Sequence, residues 1–77
     1  MNLLSNEIEA LKVVLSEDKL TWNAQTFLAT TTKLKKILNA NFVTFSNRKN
    51  AIFIEYCVKG KNTIVKIQSK KSLLKGV

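Results

Sequence analysis

Apolar residues near the start of the chain recur at helical spacing. Leu4, Ile8, Leu11 and Leu15 fall 4, 3 and 4 residues apart, which places them on one stripe of a helix from about Asn6 to Ser16. Asn6 followed by Glu9 reads as a weak capping box, and Glu7 and Glu9 suit the positive end of the helix dipole. Val13 falls opposite the stripe, where it needs no partner but would extend a dimer contact. Ser16-Glu17-Asp18-Lys19 is polar and reads as a connection, with Thr21 as the next N-cap. From Trp22, read as a core anchor, to Asn39 the residues Ala24, Phe27, Leu28, Leu34, Ile37 and Leu38 again keep a helical period. Thr30-Thr31-Thr32 interrupts this segment with β-branched residues of poor helix propensity. Two forms follow. One is a single long helix that tolerates the threonines, favoured because the Gly frequent in a helix-turn-helix turn is missing. The other is a helix of about 22–29 and another of about 31–39, with Thr30 as the second N-cap.

From residue 42 the period switches to two. Phe42–Ser46, Ala51–Val58 and Thr63–Gln68 are β-branched and aromatic runs separated by two polar loops, Asn47-Arg48-Lys49-Asn50 and Lys59-Gly60-Lys61-Asn62. Pairing Ser46 with Ala51 sets Phe45 opposite Ile52 and Val43 opposite Ile54. Pairing Val58 with Thr63 sets Tyr56 opposite Val65, Ile54 opposite Ile67, and Glu55 against Lys66. Both registers put the apolar sets on one face of the central strand, as a consistent meander requires. Val43, Phe45, Ile52, Ile54, Tyr56, Val58, Val65 and Ile67 form the inner face, with Leu73 and Leu74 as additions from the tail. The predicted fold is α+β: two helices, or three if the threonines make a turn, packed on one face of a three-stranded antiparallel meander. Residues 1–69 make one small domain and residues 70–77 a basic tail.

The outer face carries Phe42, Thr44, Phe53, Glu55, Cys57, Ile64, Lys66 and Gln68, which is apolar for a solvent face. Burial against the tail or a second subunit is the expectation, and Phe42, Phe53, Cys57 and Ile64 form a candidate interface for a homodimer. Aromatics beside cations would also stack unpaired bases.

Charge sharpens this picture. The 77 residues hold 13 Lys+Arg against 5 Asp+Glu, a net charge of +8, and all the cations but Arg48 are Lys. The 8 Asn beside them fit an AT-rich coding sequence, which accounts for part of the Lys excess. Distribution says more than the total. Residues 1–20 hold four acids against two lysines, whereas residues 21–77 hold eleven cations against Glu55 alone. Such polarity favours an anionic partner for the C-terminal two-thirds.

Catalysis has few parts to work with. There is no His, and the 5 carboxylates fall mostly on or just after the first helix. The glycines, Gly60 and Gly76, make no phosphate-cradling loop. A lone Cys57 forms neither an internal disulfide nor a four-cysteine metal site, and in mid-strand it acts as a small hydrophobe. No cofactor, no metal and no enzyme activity are expected. No apolar run approaches the roughly 18 residues that cross a bilayer, and the opening residues lack the basic start of a signal peptide. The expected compartment is the cytoplasm.

Three groups of cations remain. Lys33, Lys35 and Lys36 lie near the end of the helical region, where they also suit the negative end of the helix dipole. Arg48 and Lys49 occupy the first hairpin tip. Lys70, Lys71 and Lys75 leave the third strand, which in a meander ends beside that tip. Helix, helix, turn, Lys-rich helix and basic hairpin is an order that resembles a winged helix-turn-helix DNA-binding domain over residues 6–58. The resemblance implies a recognition helix at residues 31–39, with Thr31, Thr32, Lys33 and Lys36 toward the major groove and Arg48 and Lys49 as the wing tip. The functional expectation is a small nucleic-acid-binding protein, duplex DNA favoured over RNA or a single strand. Thr32, Lys33, Lys35, Lys36, Arg48, Lys49, Lys70 and Lys71 are its contacts. Size and composition fit a regulatory or accessory factor of a phage or mobile element. The alternative is a protein-interaction module, an inhibitor, adaptor or homodimer, docking on an acidic protein surface.

Overall fold

The computed structural model describes residues 3–17 and 23–74. Its elements run α1 (Ser5–Ser16), α2 (Ala24–Leu38), β1 (Ala40–Asn47), β2 (Ala51–Val58), β3 (Ile64–Lys70) and α3 (Lys71–Leu74). The three strands form one antiparallel sheet in the order β1-β2-β3, so β1 and β3 are its edges. Among the described residues the helices cover one face only. The Cα atoms fill a slab of 33 × 32 × 15 Å, the two-layer α+β arrangement. Helices first and an antiparallel hairpin after is consistent with a winged-helix-like arrangement.

α1 starts earlier than predicted, and its cap differs. The Leu4 N–H donates to Glu7 Oε1 at 3.0 Å, so the carboxylate reaching back is Glu7 rather than Glu9. Its buried residues are Glu7, Ala10, Leu11 and Val14, whereas Leu4 is 63% exposed and Ile8 and Leu15 are half-buried. The core-facing stripe is therefore rotated by roughly 80° from the predicted one, at 100° per residue. The cause lies in the sheet. Tyr56 Oη donates to Glu7 Oε2 at 2.7 Å within the core, which makes a buried carboxylate acceptable there. Val13 is half-buried and packs against the core margin rather than standing opposite it. At the other end of α1, Asn47 Nδ2 donates to the Val14 carbonyl at 3.3 Å and ties the helix to the end of β1.

α2 is one continuous helix. Asn23 caps it, its Oδ1 accepting from the Gln25 and Thr26 N–H groups at 2.9 and 3.0 Å, while Thr26 Oγ1 accepts from the Asn23 N–H at 2.7 Å. Thr21 and Trp22, expected as cap and core anchor, lie outside the described residues. The threonine run is helix interior. Thr31 and Thr32 hydroxyls donate to the Phe27 and Leu28 carbonyls, both at 2.9 Å, and Thr30 faces the core beside Leu34 and Leu38. Back-bonding of this kind satisfies the hydroxyls without breaking the helix. Residues 31–39 accordingly form no separate recognition helix after a turn. Asn39 ends α2 in the left-handed region, φ 52° and ψ 47°, a conformation that Asn tolerates better than most residues.

The second hairpin has the predicted register, with Ile54↔Ile67, Glu55↔Lys66 and Tyr56↔Val65. The first is offset by two residues: Phe45 faces Ile54 and Val43 faces Tyr56. Its ladder extends further than expected, because the Arg48 N–H donates to the Ala51 carbonyl at 2.9 Å and leaves only Lys49 and Asn50 to turn the chain. An offset of two keeps every side chain on its face, so the inner set survives the correction. A bulge between Ala40 and Phe42 leaves Asn41 unpaired at the start of β1.

Leu11, Val14, Leu34, Leu38, Ile52 and Ile54 are fully buried between the helices and the sheet. Phe27 of α2 stacks on Phe45 of β1, centroids 4.6 Å apart and 16° between planes. Val58 and Val65 sit half-buried at the margin. After β3 the chain makes a single helical turn, whose Leu74 joins the core while Leu73 stays exposed.

Candidate functional site

Backbone pairing brings two of the basic groups together. Ala51 is the cross-strand partner of both Arg48, through the hairpin hydrogen bond, and Lys70, through the β2–β3 ladder. The Lys71 N–H donates to the Asn50 carbonyl at 2.9 Å, closing the start of α3 onto the hairpin tip. Arg48, Lys49 and Lys70 are exposed and Lys71 is half-buried. Lys49, Asn50, Lys70, Lys71 and Ser72 line a shallow groove there. We call this the basic end; Lys75 lies outside the described residues.

The helical lysines do not join it. Lys35 and Lys36 lie with Thr32, Asn39, Asn41 and Lys59 around a second shallow cleft where α2 meets the start of β1. Lys59 is held there by its N–H, which donates to the Asn39 carbonyl at 3.2 Å. Its membership was missed from the sequence, since it depends on the left-handed Asn39 and the bulge at Asn41. The eight residues of β1 separate the two basic clusters by about 25 Å. Lys33 lines neither cleft; it lies one turn before Lys36 on α2, roughly 160° around the axis from Lys35. The helical lysines and the hairpin tip thus form two basic clusters rather than one.

The described part of the chain leaves much of the outer sheet face open. Phe42 is 45% and Ile64 53% exposed, Thr44, Lys66 and Gln68 are exposed, and Phe53, Glu55 and Cys57 are half-buried. The expected cover is missing among the described residues because α3 turns its Leu74 toward the helical side. The registers order this face in rows. From the basic end they run Arg48–Ala51–Lys70, Ser46–Phe53–Gln68, Thr44–Glu55–Lys66 and Phe42–Cys57–Ile64. The Arg48 guanidinium lies over the Phe53 ring, 5.3 Å from its centroid. Phe53, Glu55, Lys66, Gln68 and Lys70 line a shallow groove along β3, with Leu3 and Leu73 at its margin. Cys57 has a structural task, its thiol donating to the Lys61 carbonyl at 3.0 Å and bracing the second hairpin.

Glu7 and Tyr56 are the one buried polar pair that links helix to sheet among the described residues. Tyr56 is pushed up to about 12, first by loss of solvation, then by its hydrogen bond to Glu7 and by that group's negative charge. With both carboxylate oxygens taken by Leu4 N–H and Tyr56 Oη, the pair is an anchor. The spacing of 7, 10, 11 and 14 is as helical as the apolar stripe, and only the acid at its head hid it.

Among the described residues no helix is long and apolar enough to cross a membrane. The chain matches no protein-family model, and neither a curated protein nor a solved structure shows significant similarity to it.

Proposed function

We propose that this protein is a small, non-catalytic nucleic-acid-binding protein, with DNA the expected polymer, and that it docks through its basic end. The observation that supports this best is the convergence of Arg48, Lys49, Lys70 and Lys71 on one end of the sheet. Four cations from two distant segments meet there, while Glu7 of α1 is engaged in the core by Tyr56. Phosphates are the ligand that a cluster of four cations, three of them exposed, suits, by direct neutralisation and counterion release. With α2 continuous, backbone contact rather than major-groove reading carries the affinity, and sequence preference is expected to be low. If all four cations contact a duplex, log Kobs falls with log salt at a slope of about −3.6, roughly a hundredfold loss between 50 and 200 mM. Anisotropy titrations of a labelled oligonucleotide at those two salts test it. Binding that is absent or insensitive to salt sinks it.

One observation favours the rival role in protein binding. Leu28 is 65% exposed and, with Ala24, Phe27, Thr31 and Val43, makes an apolar patch beside β1. A stable dimer by light scattering, lost on Leu28→Lys, in a protein that binds no nucleic acid would establish that reading instead.

A further inference from the structure

The geometry points to single-stranded nucleic acid as the occupant of the open outer sheet face, with Arg48 and Lys70 on its phosphates and Phe53 and Phe42 stacking its bases. This rests on the nucleic-acid reading above and narrows it to one form of the polymer.

The row order carries the inference. Two residues of strand separate successive rows, about 7 Å. Along the face a cationic row is followed by a ring, then by the Glu55–Lys66 row, then by the second ring, with Phe53 and Phe42 about 13 Å apart. Rings interleaved with cations on an exposed sheet are what unpaired bases and their backbone require, since every base has a π-face and every nucleotide a charge. The groove at the β3 edge, lined by Phe53, Lys66 and Lys70 together with Ile54, Ile67 and Leu73, gives the strand a concave seat beside Phe53, and Phe42 stands outside it. The Arg48 guanidinium lies over the Phe53 ring, so a base takes that ring face as the guanidinium turns to the adjoining phosphate.

Charge complementarity separates this occupant from its competitors. Arg48, Lys49, Lys66 and Lys70 outnumber Glu55 on and beside this face. A second copy laid face to face would oppose cations to cations, which disfavours a dimer here. A duplex keeps its bases inside and would press phosphates against Phe42 and Phe53, leaving both rings without a stacking partner.

The test uses the full chain and three labelled ligands of about twelve units: oligothymidylate, oligouridylate and a mixed-sequence duplex, near 50 mM salt. At least one single strand is expected to bind about tenfold tighter than the duplex; which one distinguishes DNA from RNA. Phe42→Ala and Phe53→Leu should each weaken single-strand binding at least about fivefold and leave duplex binding within about twofold. Lys49→Glu should weaken both. Equal affinities for single strand and duplex, or ring variants without effect while Lys49→Glu still weakens binding, overturn the platform and leave the basic-end reading standing. Absence of binding to any of the three ligands overturns both. Phe53 is half-buried, so photo-cross-linking of wild type to a 5-bromouracil oligonucleotide gives a reading independent of folding. Cross-links at Phe42 or Phe53 support the platform, and cross-links confined to residues 23–38 overturn it.

Discussion

Replacing Tyr56 by Phe removes a single oxygen from the core and strands the Glu7 carboxylate oxygen that accepts from it at 2.7 Å. A hydrogen bond to a charged, buried partner contributes about 1.5–3 kcal/mol, and the ring's packing is unchanged by the substitution. In a domain of this length each kcal/mol moves the melting temperature by roughly 4–8 °C. The pH dependence is the sharper signature. Unfolded, the phenol ionises near its ordinary value of about 10; folded, it holds its proton to about 12. Between those values only the unfolded chain has shed the proton, so the phenol's contribution is complete below about pH 10 and is lost as pH rises toward 12. The full interval corresponds to about 2.7 kcal/mol. Solvent screening in a slab 15 Å thick reduces that to about 1–2 kcal/mol. Urea unfolding of wild type and Tyr56→Phe, followed by circular dichroism near pH 8 and near pH 11, measures both effects. The gap between the two proteins should be widest at the lower pH and narrow at the higher. A gap under about 0.5 kcal/mol near neutral pH, or one that does not narrow in alkali, refutes the assignment of Glu7 and Tyr56 as an anchoring pair.

Further substitutions test the rest of the fold and the site. Asn39→Ala places a Cβ-bearing residue of poor left-handed tolerance at φ 52° and should destabilise by about 1–2 kcal/mol, whereas Asn39→Gly should be neutral or stabilising; chemical denaturation distinguishes them. Leu34→Ala empties a fully buried position and should cost about 2–5 kcal/mol, most of the stability of so small a domain, read as loss of the cooperative transition. Lys49→Ala and Lys70→Ala should each lessen the salt slope of duplex binding by about 1, while Lys33→Ala leaves it unchanged.

Sequence periodicity located the elements because hairpins and helices are local, and it failed where a distant partner decided the outcome. The β2–β3 register was legible, since apolar alternation fixes the parity and the pairing of Glu55 with Lys66 selects one register of that parity. The β1–β2 register was two residues off, because nothing in Asn47-Arg48-Lys49-Asn50 reveals that Arg48 closes the ladder on Ala51. The buried face of α1 was misread because Glu7 counts as polar until Tyr56, 49 residues away, supplies its donor. The basic end was legible in outline, since a meander must return β3 to the first hairpin. Lys59 beside Lys35 and Lys36 was not, because the bulge and the left-handed Asn39 that place it have no period.

The meander has a consequence for how the chain folds. Every strand pairs with its neighbour in sequence, and α2 runs straight into β1, so most ordering steps close short loops and refolding should be fast. The sequence has no Pro, which removes the commonest source of a slow phase. The exception is α1, whose first turn must wait for the central strand before Glu7 finds its donor. Docking of that helix is then the late event. Amide exchange at Leu11 and Val14 should accordingly report a lower opening free energy than at Ile54, because the helix that docks last is the first to detach although all three residues are equally buried.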